Sequence, residues 1–108
     1  MQKQEIQEWI AITELQQLMR QSPELVTIID VRGPEEYAEK HIPGAINIPL
    51  SELENRSNEL SLNSILITVC GKGGGRSEQA AGLLKQIGFT KTRFLCGGTI
   101  GWYQIPAS

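Results

Sequence analysis

The chain has 108 residues, 40 % of them apolar and 20 % charged, with a net charge of −2. That is one domain's worth of ordinary globular composition, large enough for its own core. With that charge no broad basic face is expected, so nucleic acid is not an expected partner and any attraction for anions must be local.

No apolar run approaches the length needed to span a membrane, and no membrane partner is expected. Met1-Gln2-Lys3-Gln4-Glu5 lacks the apolar core of a secretory leader, so a cytoplasmic location is the expectation. Only two cysteines occur, Cys70 and Cys96. In a reducing compartment these are expected to be thiols with a task rather than a structural disulfide.

In chain order, Trp9-Ile10-Ala11-Ile12 reads as a short first strand. Thr13 is expected to cap a helix, with Gln16 completing a capping box and Leu15, Leu18 and Met19 forming the apolar stripe. Ser22-Pro23 ends it. Val26 to Val31 is a second strand, apolar enough to be covered on both faces, and Arg32 follows it. Gly33-Pro34-Glu35-Glu36 opens a helix through Tyr37 and Ala38, with proline at its first position and acids in its positive first turn. His41-Ile42-Pro43-Gly44-Ala45 is a turn, Ile46-Asn47-Ile48 a short strand, and Pro49 its stop. Ser51 and Glu54 make a second capping box, which predicts a surface helix to about Leu60.

The next segment carries the chemistry. The apolar run Ser64 to Val69 leads into Cys70-Gly71-Lys72-Gly73-Gly74-Gly75-Arg76-Ser77. A helical pattern follows, Ala80, Leu83, Leu84 and Ile87, closed by Gly88. A cysteine thus stands where a strand ends, before a glycine-rich turn and a helix start. Glycines permit the positive φ values that turn backbone N–H groups inward, and a helix N-terminus adds about half a positive charge. Arg76 and Lys72 add cations. A thiol in such a setting ionises below the ordinary range.

Thr92 to Leu95 reads as the last strand, ended by Cys96-Gly97-Gly98. Thr99 to Tyr103 forms a final turn or short helix carrying Trp102. Strand and helix patterns alternate throughout, which predicts an α/β fold: a mostly parallel central sheet with helices on both faces. Sites in such folds lie beyond the carboxyl ends of the strands. Asp30 to Arg32, Cys70 and Cys96 all fall at such ends.

Three motifs, taken in order around the Cys70 loop, are specific for one fold. They are Asp30-Val31-Arg32 with Glu36-Tyr37, His41 to Pro49, and Leu95-Cys96-Gly97-Gly98 with Trp102. On these the chain resembles a single-domain rhodanese from Ile12-Thr13 to Trp102. The resemblance implies the three-layer rhodanese-like fold and sulfane-sulfur transfer. A cysteine takes sulfur from a small anionic donor such as thiosulfate, holds it as a persulfide and passes it to a thiophilic acceptor such as cyanide, or to an acceptor protein. By position the nucleophile is Cys70. No cofactor is implied, and one histidine with two cysteines is too few for a zinc site.

Within this frame Cys70 and Arg76 are the catalytic candidates. Gly71, Lys72, Gly73, Gly74, Gly75 and Ser77 are the substrate-binding candidates. Asp30 and Arg32 are read as structural residues near the site, with Glu36 as partner of Arg32. His41 and Trp102 are assigned to the turn motif and to a lid or core anchor. Cys96 is expected to face the core.

The loop departs from the resemblance in one respect. Single-domain rhodaneses usually place four residues between the cysteine and the arginine, whereas five separate Cys70 from Arg76. Cys, five residues, Arg, Ser is the spacing of cysteine phosphatases, and of phosphatases and arsenate reductases built on the rhodanese fold. Against those, Val69 stands where phosphatases usually carry histidine, and no aspartate is placed as general acid. Sulfur transfer, phosphate or arsenate chemistry, and a non-catalytic carrier or regulatory module all remain open at this point.

Overall fold

The computed structural model describes residues 8–105; the Met1–Glu5 segment lies outside them. Five strands make one parallel sheet: β1 Trp9–Ile10, β2 Val26–Asp30, β3 Ile46–Asn47, β4 Ile65–Val69 and β5 Arg93–Leu95. Their order is β1-β5-β4-β2-β3. The helices are α1 Ile12–Gln21, α2 Pro34–Glu39, α3 Leu50–Leu53, α4 Arg76–Ile87 and α5 Gly98–Gln104. The alternation of patterns thus produces the expected parallel α/β sheet.

The period of two along each strand divides the core. Ile28 on β2 and Ile67 and Val69 on β4 join Leu15 of α1, Ile42 and Ala45 on one face, with Trp102 packed against them. Ile29, Val31, Leu66 and Cys70 join Leu53 of α3 and Ala80 and Leu84 of α4 on the other. Helices therefore cover both faces. Two strands covered on both sides need predominantly apolar runs, and in β2 and β4 the polar exceptions that are buried, Asp30 and Thr68, are hydrogen-bonded.

The register sets the site. Asp30 pairs with Val69 across β2 and β4, so the chain leaves both strands at the same carboxyl end of the sheet. Arg32 and Cys70 emerge there together. The carbonyl of Val69 accepts from the Val31 N–H at 2.9 Å and prolongs the ladder to this end.

Two expected caps are corrected. β1 stops at Ile10, α1 starts at Ile12, and Ala11 is its N-cap with no side-chain bond; Thr13 is exposed inside the first turn. Starting there puts Ile12 and Leu15 on the buried face. Burying a large aliphatic side chain is worth about 1.5–3 kcal/mol, against about 1 kcal/mol for a cap.

Likewise, Ser51 caps nothing. α3 ends at Leu53, and a separate single 3-10 turn covers Ser57–Glu59. Between Leu53 and Leu60 no apolar residue supplies a face to hold a longer helix against the sheet. Arg56 instead ties the segment down through Glu52 at 3.1 Å and Glu59 at 3.0 Å.

Candidate active site

β4 ends at Val69 and delivers Cys70 to the α4 face of the sheet, where it is only 4 % exposed. The chain then turns through Gly71 to Gly75 into α4. Two contacts explain why glycines occupy this turn. Gly75, the N-cap of α4, has φ +55° and ψ −103°, a conformation open to glycine. Gly73 lies backbone against backbone on the start of α5, and a Cβ on it would fall 2.1 Å from the Gly97 nitrogen.

From the other side, a Cβ on Gly98 would fall 2.4 Å from the Cys70 carbonyl oxygen. This approach lets α5 hold the loop. The Thr99 N–H donates to the Cys70 carbonyl at 2.9 Å, and the Ile100 N–H donates to the Gly71 carbonyl at 3.0 Å. Gly97 and Gly98, which the sequence marks as a strand end and as part of a motif, are the backbone of this clamp.

The thiol has close polar neighbours. Its S–H donates to the Gly74 carbonyl at 2.8 Å, and Ser77 Oγ lies 3.3 Å from Sγ. Burial opposes ionisation of Cys70. The Ser77 hydroxyl and N–H and the N–H groups of Gly73 and Gly74 favour the thiolate, and together they outweigh burial, so Cys70 ionises below the usual thiol range. The expected ring of inward N–H groups is interrupted at Gly74, whose carbonyl faces the sulfur. That same oxygen also accepts from the Ser77 N–H at 3.3 Å.

Ser77 is fully buried in the first turn of α4, with its carbonyl accepting from the Thr68 hydroxyl at 2.7 Å. It touches the sulfur from within the protein rather than from solvent.

An open cleft of about 530 Å³ lies over the thiol, walled by Cys70, Gly71, Lys72, Gly74, Gly75 and Arg76 of the loop region. Arg32 and Glu36 from the β2–α2 segment and Ile100 of α5 complete it. Of the loop residues singled out in the sequence, Gly73 and Ser77 stay outside the lining. Ile100 was not foreseen; nothing in its sequence neighbourhood marks it, since only the α5 clamp brings it to the loop.

The arginines pair differently from expectation. Arg32 is held by Asp30, Nε to Oδ1 at 3.0 Å and Nη2 to Oδ2 at 2.8 Å, and Nη2 also donates to the Lys40 carbonyl at 2.6 Å. Asn47 Nδ2 donates to the carbonyls of Asp30 at 2.9 Å and Arg32 at 3.0 Å. Hydrogen bonding to Asp30 is the main cause that raises the Arg32 pKa.

With its guanidinium so engaged, Arg32 does not take Glu36. Glu36 pairs with Arg76, Oε1 to Nη1 at 3.0 Å and Oε2 to Nη2 at 3.3 Å. Its Oε1 also accepts from the Gly33 N–H at 3.2 Å, which fixes it over the start of α2. The Arg76 bond first, then that N–H, holds the Glu36 carboxyl below the usual carboxylate range.

His41 stacks on Tyr37 at 3.8 Å between ring centroids, with Nδ1 2.8 Å from the Tyr37 carbonyl, and does not line the cleft. Trp102 is half-buried against the core. Cys96 is a free, exposed thiol, not a core residue; it follows the fully buried Leu95 at the end of β5, where successive side chains point to opposite sides. Among the described residues no group of three or more His, Cys, Asp or Glu side chains forms a metal site. Nor is any helix among them long and apolar enough to cross a membrane.

Comparison with known proteins gives a consistent picture. A family model described as a rhodanese-like domain matches residues 11–105. The chain is 44 % identical over 81 residues to the putative sulfur carrier protein YrkF of Bacillus subtilis, covering 75 % of this chain and 43 % of that one. It is 40 % identical over 63 residues to the thiosulfate sulfurtransferase PspE of Escherichia coli, covering 57 % and 61 %. The chain thus spans less than two thirds of either curated relative. The human single-domain sulfurtransferase TSTD1 superposes with a TM-score of 0.82 at 29 % identity, over 94 % of this chain and 99 % of that one.

Proposed function

The chain belongs to the rhodanese-like family, by its match over residues 11–105, and from that premise we propose that it transfers sulfane sulfur through a persulfide on Cys70. The observation that carries this reading is the setting of Cys70, a thiol at a cleft floor whose hydrogen-bonding neighbours favour its anion. The names of the relatives, a sulfur carrier and a thiosulfate sulfurtransferase among them, support sulfur transfer in general.

In the proposed reaction the Cys70 thiolate attacks the outer sulfur of a small anionic sulfane donor, such as thiosulfate. The new Cys70 S–S bond forms as the S–S bond of thiosulfate breaks, and sulfite leaves with the bonding electron pair. The transferred sulfur keeps one negative charge, held by the loop N–H groups as an oxyanion hole would hold it. Cyanide or another thiophile then takes that sulfur and returns the thiolate. Lys72 draws the anionic donor to the rim, and Arg76 offers a guanidinium fork to its oxygens. The exchange needs no cofactor. Both cysteines are free, which suits a reducing, cytoplasmic setting, and the acceptor is a small thiophile or a thiol on a partner protein.

The five-residue spacing from Cys70 to Arg76 favours a second reading, phosphate-ester or arsenate chemistry. Phosphate-ester cleavage calls for a protonated acid beside the leaving group. The carboxyl that lines the cleft, Glu36, is ion-paired and held in its charged form. Sulfite leaves as a stable anion and needs no such acid, which puts sulfur transfer ahead.

One purified sample assayed with thiosulfate plus cyanide and with an aryl phosphate, beside Cys70→Ser, tests the choice. Thiocyanate production lost in Cys70→Ser, with no phosphate release, is expected. Cys70-dependent phosphate release without thiocyanate would reverse it.

A further inference from the structure

We propose that Glu36 is a specificity-determining residue of the Cys70 cleft, occupying Arg76 and thereby disfavouring doubly charged donors relative to singly charged ones. The proposal rests on the sulfur-transfer reading above and adds to it the charge class of the donor.

The carboxylate and the guanidinium meet in a two-point contact, 3.0 and 3.3 Å, between residues 40 apart in the chain. Both line the cleft that holds Cys70. Neither is locked in the interior: the side chains of Arg76 and Glu36 are 46 % and 48 % exposed, so an incoming anion can reach the pair. Glu36 is nonetheless held in place from behind, since its Oε1 also accepts from the Gly33 N–H. A donor that engages Arg76 therefore shares the guanidinium with Glu36, whose carboxylate, anchored at the Gly33 N–H, stays beside the donor.

The charges of the cleft lead to the same result. Arg32 is neutralised by Asp30 at 2.8 Å and Arg76 by Glu36 at 3.0 Å. Among the described residues Lys72 is then the cleft cation with no ion-pair partner, and one Cys70 thiolate balances it. The resting cleft has no surplus positive charge to hold a dianion. A singly charged sulfane donor meets less repulsion from Glu36, and the exposed side chain of Ile100 offers an apolar wall to its carbon body.

The test compares two donors that share a reacting end and differ by one charge, thiosulfate and methanethiosulfonate. With the second, the thiolate takes the terminal sulfur and methanesulfinate leaves with the electron pair. Cyanide is the acceptor throughout, and the proteins are wild type, Glu36→Gln and Glu36→Asp. Glutamine keeps an oxygen for the Gly33 N–H, so the start of α2 is retained.

Removing one like charge about 4 Å from the donor, in a half-exposed site, is worth roughly a factor of 5–10 per unit of donor charge. The expected result is that Glu36→Gln lowers KM for thiosulfate 5- to 10-fold more than KM for methanethiosulfonate. Most of the change falls in KM rather than kcat, because Arg76 contacts bound donor and transition state alike. Glu36→Asp, which keeps the charge, retains most of the wild-type discrimination. Equal shifts with both donors, or no fall in the thiosulfate KM, would overturn the assignment.

Should wild type turn over neither donor, the sulfur-transfer reading fails, and Glu36 is tested without turnover. Sulfate then protects Cys70 from the neutral reagent iodoacetamide, and the half-protecting concentration is read. A value at least fivefold lower in Glu36→Gln supports the role of Glu36, and an unchanged value refutes it.

Discussion

Replacing Ser77 by alanine isolates what favours the Cys70 thiolate. The hydroxyl lies 3.3 Å from Sγ in a fully buried position, and after Cys70 ionises it donates to the thiolate. A hydrogen bond to a charged group is worth about 1.5–3 kcal/mol, and 1.36 kcal/mol is a factor of ten. The lower figure implies about tenfold less thiolate in Ser77→Ala at any pH below the titration. A more basic thiolate is also more nucleophilic, by about threefold for a tenfold change in basicity. The sign follows from the two competing causes at this thiol. Burial raises its pKa and remains after the substitution, whereas the hydroxyl that lowers it is lost.

Iodoacetamide alkylation of Cys70 across a pH series is the assay. Ser77→Ala is expected to react about threefold more slowly than wild type below the titration and about threefold faster above it. The two rate profiles therefore cross. Stability changes little, because the Gly74 carbonyl keeps the Ser77 N–H at 3.3 Å. Slower reaction at every pH would mean a change of access, and superimposed profiles would mean that the hydroxyl does not act on the thiolate. Either result refutes the reasoning.

Asp30→Ala strands Arg32, 8 % exposed, without its carboxylate; urea unfolding is expected to show a loss of about 3–5 kcal/mol. Gly98→Ala, with its positive φ and its Cβ 2.4 Å from the Cys70 carbonyl, is expected to lose more than 2 kcal/mol by about the same route as an overpacked core site. Gly74→Ala, which meets nothing within 4 Å, stays within about 0.5 kcal/mol; equal losses in the two variants would contradict the clamp. Cys96→Ala removes an exposed thiol and is expected to leave thiocyanate production intact. A Cys70–Cys96 linked peptide as the main product of mild peroxide treatment would instead make Cys96 a resolving thiol.

The central frame was legible because burial on two faces leaves an unmistakable signature. Val26–Asp30 and Ile65–Val69 are rich in β-branched apolar residues on both faces, and Gly88 closes α4 where the helical spacing stops. The Cys70 loop was legible for the same reason, since a strand end, a run of glycines and a helix start are all local. The caps at Thr13 and Ser51 were not, because a capping motif contributes less than the burial of Ile12 or the lack of apolar partners beyond Leu53. The Glu36–Arg76 pair joins residues 40 apart and depends on Asp30 having taken Arg32 first, an order of preference that spacing does not encode. Gly97 and Gly98 announced a turn, but their close approach to Gly73 and Cys70 arises only when α5 docks on the loop.

The central claim is that Cys70 carries the sulfur. Intact-protein mass spectrometry after incubation with thiosulfate, followed by peptide mapping, tests it most directly. One added sulfur atom on Cys70, removed by cyanide and missing from Cys70→Ser, is the predicted result. An unmodified Cys70 with thiosulfate and with methanethiosulfonate, or sulfur found on Cys96 alone, would contradict it.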